Sequence, residues 1–298
     1  TSLYGSGKIE ATLSALQKSQ LVYEREGARW LRTTSFGDDK DRVLVKSDGS
    51  YTYFLPDVAY HRDKAERGFA VAIDVWGADH HGYVPRMQAA MQALGLGGDF
   101  FEAVIVQLVR LERGGEEVKF SKRAGEFVTL RELIDEVGVD VTRYFFLARS
   151  AQQQMVFDLD LAKERSEKNP VYKVQYAHAR LRSVYRRGGI DPTKLDLEVD
   201  LSPVRETAAI EMIKTLNDFP ELVEAAARFR EPHRVAAYLE ELANQVNSWY
   251  HAGTRDASLR VLTSDQDVTA ARLVVARAAE VVLRNGLGLL GIEAPEQM

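Results

Sequence analysis

Lys119, Ser121, Lys122 and Arg123 crowd into the stretch VKFSKRAGEFVTL (118–130), with Gly125 just behind them. Three cations and a hydroxyl beside a glycine could close over a triphosphate and neutralise the charge that develops in phosphoryl or nucleotidyl transfer. Lys122 is the principal charge in that reading; the plainer alternative is a solvated basic loop. A second constellation is WGADHHGYVPR (76–86), placed directly after an apolar run and before a helical pattern. Ligands of parallel sheets bind at the carboxyl ends of strands, where a glycine admits the ligand and a carboxylate such as Asp79 can accept hydrogen bonds from ribose hydroxyls. Asp79 could equally be a helix cap. Adjacent His80 and His81 point apart on a strand or turn, which suits a metal site poorly.

Tyr53 and Asp57, within SDGSYTYFLPDVAY (47–60), are four residues apart and would share one side of a helical turn. A carboxylate beside an aromatic ring suits a guanidinium or ammonium group, the first for pairing and the second for stacking. The alternative makes Asp57, next to Pro56, the cap of the helix VAYHRDKAER. Further on, YKVQYAHARLRSVYRR (172–187) sets Arg180, Arg182, Arg186 and Arg187 on one helix with Tyr172, Tyr176 and Tyr185. Arginines answer phosphates and tyrosines offer faces to unstacked bases, as in recognition of a single-stranded RNA loop. An ordinary amphipathic helix with core tyrosines and solvated arginines is the competing reading. YGSGKIEA (4–11) is set aside as a phosphate-binding P-loop, because Ser2 stands where the first glycine belongs and Ile9 where Ser or Thr must follow the lysine.

The elements that must position these groups change character along the chain. In residues 1–165 strands and helices alternate. Ile9, Leu13 and Leu16 mark a first helix, RVLVK and SYTYF read as strands around the turn Ser47-Asp48-Gly49-Ser50, and FAVAIDVW (69–76) and EAVIVQLVRL (102–111) read as strands. The run 69–76 has the continuous apolar character of a strand buried on both faces. YVPRMQAAMQALG between them reads as a helix closed by Gly95, so strand, helix and strand form the unit of a parallel sheet. A strand pair is expected around Glu112 to Glu116, and Thr129 with Glu132 reads as a helix cap. From about residue 158 the pattern is helical. Leu181, Val184 and Tyr185 share one face, Ile210, Ile213 and Leu216 a second, and Leu239, Leu242, Val246 and Trp249 a third. The last helix is expected to start at the pair Ser264 and Asp267 and to end at Gly286, and the stretch 186–203 reads as a loop.

With 298 residues, 45% of them hydrophobic, the chain can bury substantial cores and suits two domains better than one. The absence of cysteine excludes disulfides, thiolate zinc sites and a cysteine nucleophile. A formal charge of −5 gives no general attraction for nucleic acid, so a polyanion must be met by local patches. No run is long and apolar enough for a membrane span and the start has no secretory signal pattern, so a cytoplasmic location is expected.

Taken in order, these motifs resemble bacterial-type arginyl-tRNA synthetases, a class I family, over the whole sequence. KFSKR is similar to the Lys-Met-Ser-Lys-Ser signature, with Phe120 for the methionine and Arg123 for the last serine; DGSYTYFLPDVAYHRDK, GADHHGY, RAGEFVTLRELIDEVGVDVTRYFF, NPVYKVQYAHAR and RNGLGLLGIEAPEQM carry the rest. The resemblance implies an α/β plus all-α chain: a partial Rossmann-like catalytic domain at 1–165, then an α-helical bundle at 166–298 that binds the anticodon. It implies ATP-dependent activation of L-arginine and transfer to tRNA-Arg, with Mg2+ accompanying ATP, no tightly bound cofactor, and a monomer. By position, Tyr53 and Asp57 would hold arginine, and Gly77, Asp79 and His81 would border adenosine. Lys119, Ser121 and Lys122 would act on the phosphates, and Tyr176, Arg180 and Met298 on the tRNA. Lys173 stands where relatives often carry an aromatic. The family's N-terminal module and first half of the nucleotide-binding fold, with its His-Ile-Gly-His type signature, have no counterpart here, so a C-terminal portion inactive by itself is expected; the alternative is a non-catalytic RNA binder.

Overall fold

The computed structural model describes residues 2–118 and 129–298. They form two compact units, one up to Leu108 and one from Val109 to Met298. The KFSKR segment, with Lys119, Ser121 and Lys122, lies outside the described residues.

The first unit opens with helices α1 (Ser2–Gly5) and α2 (Lys8–Lys18), and α2 buries the expected stripe of Ile9, Leu13 and Leu16. Strands β1 (Val22–Arg25), β2 (Ala28–Leu31) and β3 (Arg42–Val45) form an antiparallel sheet in sequence order. SYTYF does not continue it. Tyr51 makes a single bridge to Val45, and helix α3 (Phe54–Glu66) begins three residues later. Phe54, Leu55, Val58 and Ala59 are all buried, so core packing favours helix over the period-two pattern of the tyrosines.

Strand β4 (Ala72–Gly77), helix α4 (Val84–Ala93) and strand β5 (Phe101–Val106) form the predicted parallel unit, with Ala72 opposite Phe101 and Gly77 opposite Val106. Gly95 turns the chain after α4 with φ +79°. Two expectations need correction. The run 102–111 is two strands, because the chain breaks between β5 and β6 (Val109–Arg113) at the boundary of the two units. Nor is β4 buried on both faces: Ala72 is buried, while Ile73 and Val75 are 42% and 68% exposed. Only two strands make up this sheet among the described residues.

In the second unit β6 pairs antiparallel with β7 (Glu116–Glu117), the expected hairpin, and parallel with β8 (Met155–Asp158). Helices α5 (Leu130–Val137) and α6 (Val139–Leu147) lie between them in sequence, and α5 starts at the predicted capping box of Thr129 and Glu132. After α7 (Leu159–Lys163) come the long helices α8 (Pro170–Gly188), α9 (Thr207–Phe229), α10 (His233–Arg255) and α11 (Gln266–Leu289). Their core holds Leu181, Val184, Tyr185, Leu239, Leu242, Val246 and Trp249, as the spacing predicts. On α9 the buried positions are instead Ala209, Met212 and Ala226, with Ile210 and Ile213 exposed. A shift of one residue turns a helix by about 100°, and the apolar stripe of α9 is wide enough to fit either rotation.

The start of α11 is capped by Asp265, whose carboxylate accepts from the N–H groups of Asp267 and Val268 at 3.0 and 3.1 Å, and not by Ser264. The helix runs three residues past Gly286, because that glycine is a packing residue: a Cβ there would lie 2.6 Å from Leu239 Cδ2. Gly253 on α10 is less forgiving, since a Cβ would meet not a side chain but the backbone Cα of Arg260, at 2.9 Å. Gly253→Ala is therefore expected to cost about 1–3 kcal/mol of stability in urea unfolding. Gly288→Ala, near the end of α11 with nothing within 4 Å, is expected to raise stability by about 0.5–1 kcal/mol in the same experiment.

Candidate functional site

The first unit gathers part of its expected site at the carboxyl end of β4. Gly77 ends the strand, a 3-10 turn (Ala78–Tyr83) carries Asp79, His80 and His81, and Pro85 follows in the first turn of α4. Asp79 does not cap a helix. Its carboxylate lies where a Cβ on residue 77 would be, 2.8 Å away, and faces His80 Nδ1 at 3.1 Å. Glycine at 77 leaves room for this placement of the exposed Asp79 side chain. His81 is exposed, and its carbonyl accepts the N–H of Val84. Asp79, His80, Gly82, Tyr83 and Arg86 line a cleft of about 640 Å3 with Asp38 and Arg42; Gly77 and His81 lie outside that lining.

Tyr53 and Asp57 share the first turn of α3, where the N–H of Asp57 donates to the Tyr53 carbonyl at 3.4 Å. Because α3 starts at Phe54, Asp57 sits inside the helix and caps nothing. Tyr53 is 92% exposed. The Asp57 carboxylate accepts a hydrogen bond from the Tyr83 hydroxyl at 2.9 Å, so Tyr83 touches Asp57 and also lines the cleft. Burial, then the Asp57 charge, push the Tyr83 phenol above its ordinary range, which keeps it a donor. Among the described residues no cation pairs with Asp57. The carbonyl of Asp57 is held from beneath by His61 Nδ1 at 2.8 Å, and His61 Nε2 and Lys64 Nζ both meet Asp74 of β4 at 2.9 Å. Tyr83 and this anchor escaped the sequence reading, although Tyr83 stands inside the quoted GADHHGY.

The second unit brings together all three residues expected to meet RNA. Helix α8 starts where Asn169 accepts from the Val171 N–H and Pro170 takes the first helical position. Residues four apart then align on its surface. The rings of Tyr172 and Tyr176 stack at 5.9 Å and 10°, Arg180 lies 4.6 Å over Tyr176, and on its other side it lies 4.8 Å over Tyr250 of α10. Arg180 also donates to Asn247 Oδ1 at 2.6 Å. Tyr176, Arg180, Arg186, Tyr250 and Met298 line one groove of about 280 Å3. Such a column offers a cation and aromatic faces together.

Other residues of this helix behave differently from expectation. Tyr185 is buried in the core and presents no face. Arg182 and Arg186 are bonded to Glu296, and Arg187 donates to the Tyr250 hydroxyl at 2.7 Å. Lys173 turns toward Glu240, with 3.7 Å between charges, and takes no part in the groove. Tyr250 and Asn247 were not singled out beforehand; their signal is a polar face at spacing 247, 250 and 251, beside the buried Val246 and Trp249.

In the lining of the cleft, Arg42 donates two hydrogen bonds to Asp38, both 2.7 Å long. Burial raises the Asp38 carboxyl, but hydrogen bonds from Arg42, Thr33 and Asp39 outweigh it and bring its pKa to about 2. Because the folded value lies below the unfolded one, this contribution is fully present above pH about 4 and is lost as pH falls toward about 2. The difference in unfolding free energy between the parent chain and Asp38→Asn is expected to shrink across that window in urea titrations.

Comparison with known proteins agrees with both halves. Residues 1–167 match the family model "tRNA synthetases class I (R), catalytic domain" and residues 174–298 match "DALR anticodon binding domain". The chain is 52% identical over 300 residues to the arginine–tRNA ligase of Geobacillus thermodenitrificans, and 51% over 299 residues to that of Listeria monocytogenes. Each alignment takes in 100% of this chain and 53% of the relative, so the chain spans about half the length of the curated relatives it matches. A solved chain from Campylobacter jejuni assigned as an arginyl-tRNA synthetase superposes with TM-score 0.87 at 32% identity, covering 100% of this chain and 63% of that one. The Thermus thermophilus arginyl-tRNA synthetase shares the fold, with TM-score 0.83 at 23% identity over 98% of this chain and 58% of its own. By the catalytic-domain match, which takes in more than half of its residues, the chain belongs to the class I (R) tRNA synthetases.

Proposed function

We propose that the protein containing this chain is an arginine–tRNA ligase, joining L-arginine to tRNA-Arg with conversion of ATP to AMP and diphosphate. Residues 1–165 are its C-terminal part of the Rossmann-like catalytic domain and residues 166–298 its anticodon-binding domain. In the first step the arginine carboxylate attacks the α-phosphorus of ATP and diphosphate leaves; in the second a hydroxyl at the 3′ end of the tRNA takes the arginyl group and AMP leaves. Asp57 pairs with the arginine guanidinium and Tyr53 packs beside it. The exposed carboxylate of Asp57, anchored through its helix by His61 and oriented by a neutral phenol, supports that role. Gly77, Asp79 and His81 border adenosine at the end of β4. Lys119, Ser121 and Lys122 hold the phosphates, a role that rests on their residue types alone, and Mg2+ arrives with ATP as part of the substrate.

The observation that carries the reading is the stacked column of Tyr172, Tyr176, Arg180 and Tyr250 ending beside Met298, in a chain of this family. Unstacked anticodon bases fit it, with Tyr176 stacking a base and Arg180 answering the backbone.

Fluorescence anisotropy at fixed salt, with an arginine anticodon stem-loop and one carrying a swapped anticodon, tests this. The arginine loop is expected to bind more tightly, and Tyr176→Ala to weaken it about five- to a hundredfold, the range for one lost base stack. Equal affinity for both loops, unchanged in Tyr176→Ala, would overturn the assignment of the groove.

A further inference from the structure

The last nine residues, 290–298, carry no helix or strand after the end of α11, so their backbone groups must find partners elsewhere. The N–H groups of 290–292 turn back to carbonyls of α11, and the groups beyond them find partners on α6 and on one face of α8. Arg143 Nε donates to the Leu290 carbonyl at 3.0 Å, and Asp140 accepts the Glu293 N–H at 3.2 Å. On α8, Gln175 donates to the Glu293 carbonyl at 3.0 Å, His178 to the Pro295 carbonyl at 2.8 Å, and Arg186 to the Glu296 carbonyl at 2.6 Å. The spacing 175, 178, 182, 186 follows one side of the helix. This ladder ends where Met298 enters the groove with Tyr176 and Arg180.

One rung differs from the others. His178 is 2% exposed and its partner Glu280 on α11 is 1% exposed, whereas the Glu296 side chain that meets Arg182 is 64% exposed. Exposed pairs contribute little, whereas a buried polar group left without its partner is costly. A carbonyl oxygen can only accept, so His178 Nδ1 carries a proton, and Nε2 turns to Glu280 Oε1 at 3.3 Å. Glu280 is in turn held by Arg277, and by Arg284 at 3.5 Å. Burial raises the Glu280 carboxyl, yet the His178 hydrogen bond and the Arg277 charge outweigh it and keep it below the usual range. The His178 ring is thus fixed from behind and donates forward to the closing segment.

We infer that His178, oriented by Glu280, is the positioning residue that seats the segment 293–298, so that Met298 completes the groove beside Tyr176 and Arg180. What the groove takes rests on the anticodon reading above; that the segment is seated by His178 does not.

The two parts can be tested separately in the full chain. The sequence has no cysteine, so Gln297→Cys provides a single labelling site for a dye whose rotational freedom reports on the segment. Asn at 178 places its amide nitrogen near the position of Nδ1, and Gln near that of Nε2. His178→Asn, which keeps that donor but loses the Glu280 contact, is expected to restrain the dye, and to keep the preference for the arginine anticodon, better than His178→Gln does. His178→Gln is expected to free the dye and to lower that preference about tenfold, the scale of one base contact. In a Met298→Ala background, His178→Gln is expected to cost no further preference, because its effect passes through that residue. A dye that stays restrained in His178→Gln, or a penalty that persists in full in the Met298→Ala background, overturns the inference. If His178→Gln fails to fold, Glu280→Gln carries the same test, with a freed dye expected and an unchanged one contradicting it. A parent chain without anticodon preference would sink the reading of the groove, while the dye still decides the role of His178.

Discussion

Burial of the apolar stripe of α8 is the constraint on which its stacked outer surface depends. Val171, Val174, Ala177, Leu181, Val184 and Tyr185 are driven into the bundle core, which fixes the rotation of the helix about its axis. Once that rotation is set, residues 172, 176 and 180 have to share an outer row, and 175, 178, 182 and 186 the row beside it. The first row stacks rings and a guanidinium; the second grips the end of the chain. Both rows sit on a helix, a rigid support that suits preorganised binding. Even Tyr185, whose phenol is pushed above its usual range by burial and the Glu280 charge, serves the core and not the surface.

The first unit uses a different device for the same purpose. A parallel strand ends at Gly77, and the absence of a Cβ there lets the Asp79 carboxylate fold back against the backbone. Asp74, three residues earlier on the same strand, reaches to His61 and Lys64 and so ties α3 to β4. The carboxylate of Asp57 is thereby referenced to the strand that carries the turn with Asp79. The partly polar, exposed cleft is shaped by this register and by the Asp38 and Arg42 pair in its lining.

Much of this was legible in the sequence, and the failures have particular causes. The stripes of α2, α8 and α10 were readable because their apolar residues recur at helical spacing and are all buried. The α9 stripe was not, since two neighbouring rotations fit equally well and the packing partners on α10 and α11 decide between them. The tyrosines of SYTYF suggested a strand until the demand to bury Phe54, Leu55 and Val58 took over. For the candidate sites, residue type and local spacing singled out Asp57, Asp79, Tyr176 and Arg180 as expectations, and the fold puts Asp79 in the cleft and Tyr176 and Arg180 in the groove. Tyr83 on Asp57, and Tyr250 and Asn247 on Arg180, were hidden because those contacts join residues 26, 70 and 67 positions apart. Pattern reading along the chain does not reach pairings of that kind.

In the proposed complex an RNA loop lies on the outer row of α8 and against the closing segment. Hydrogen exchange across the whole chain, with and without the arginine anticodon stem-loop, tests it most directly. The predicted result is added protection in residues 172–187 and 293–298, with a smaller effect around Tyr250. Binding that protects another surface and leaves those segments unchanged would contradict it.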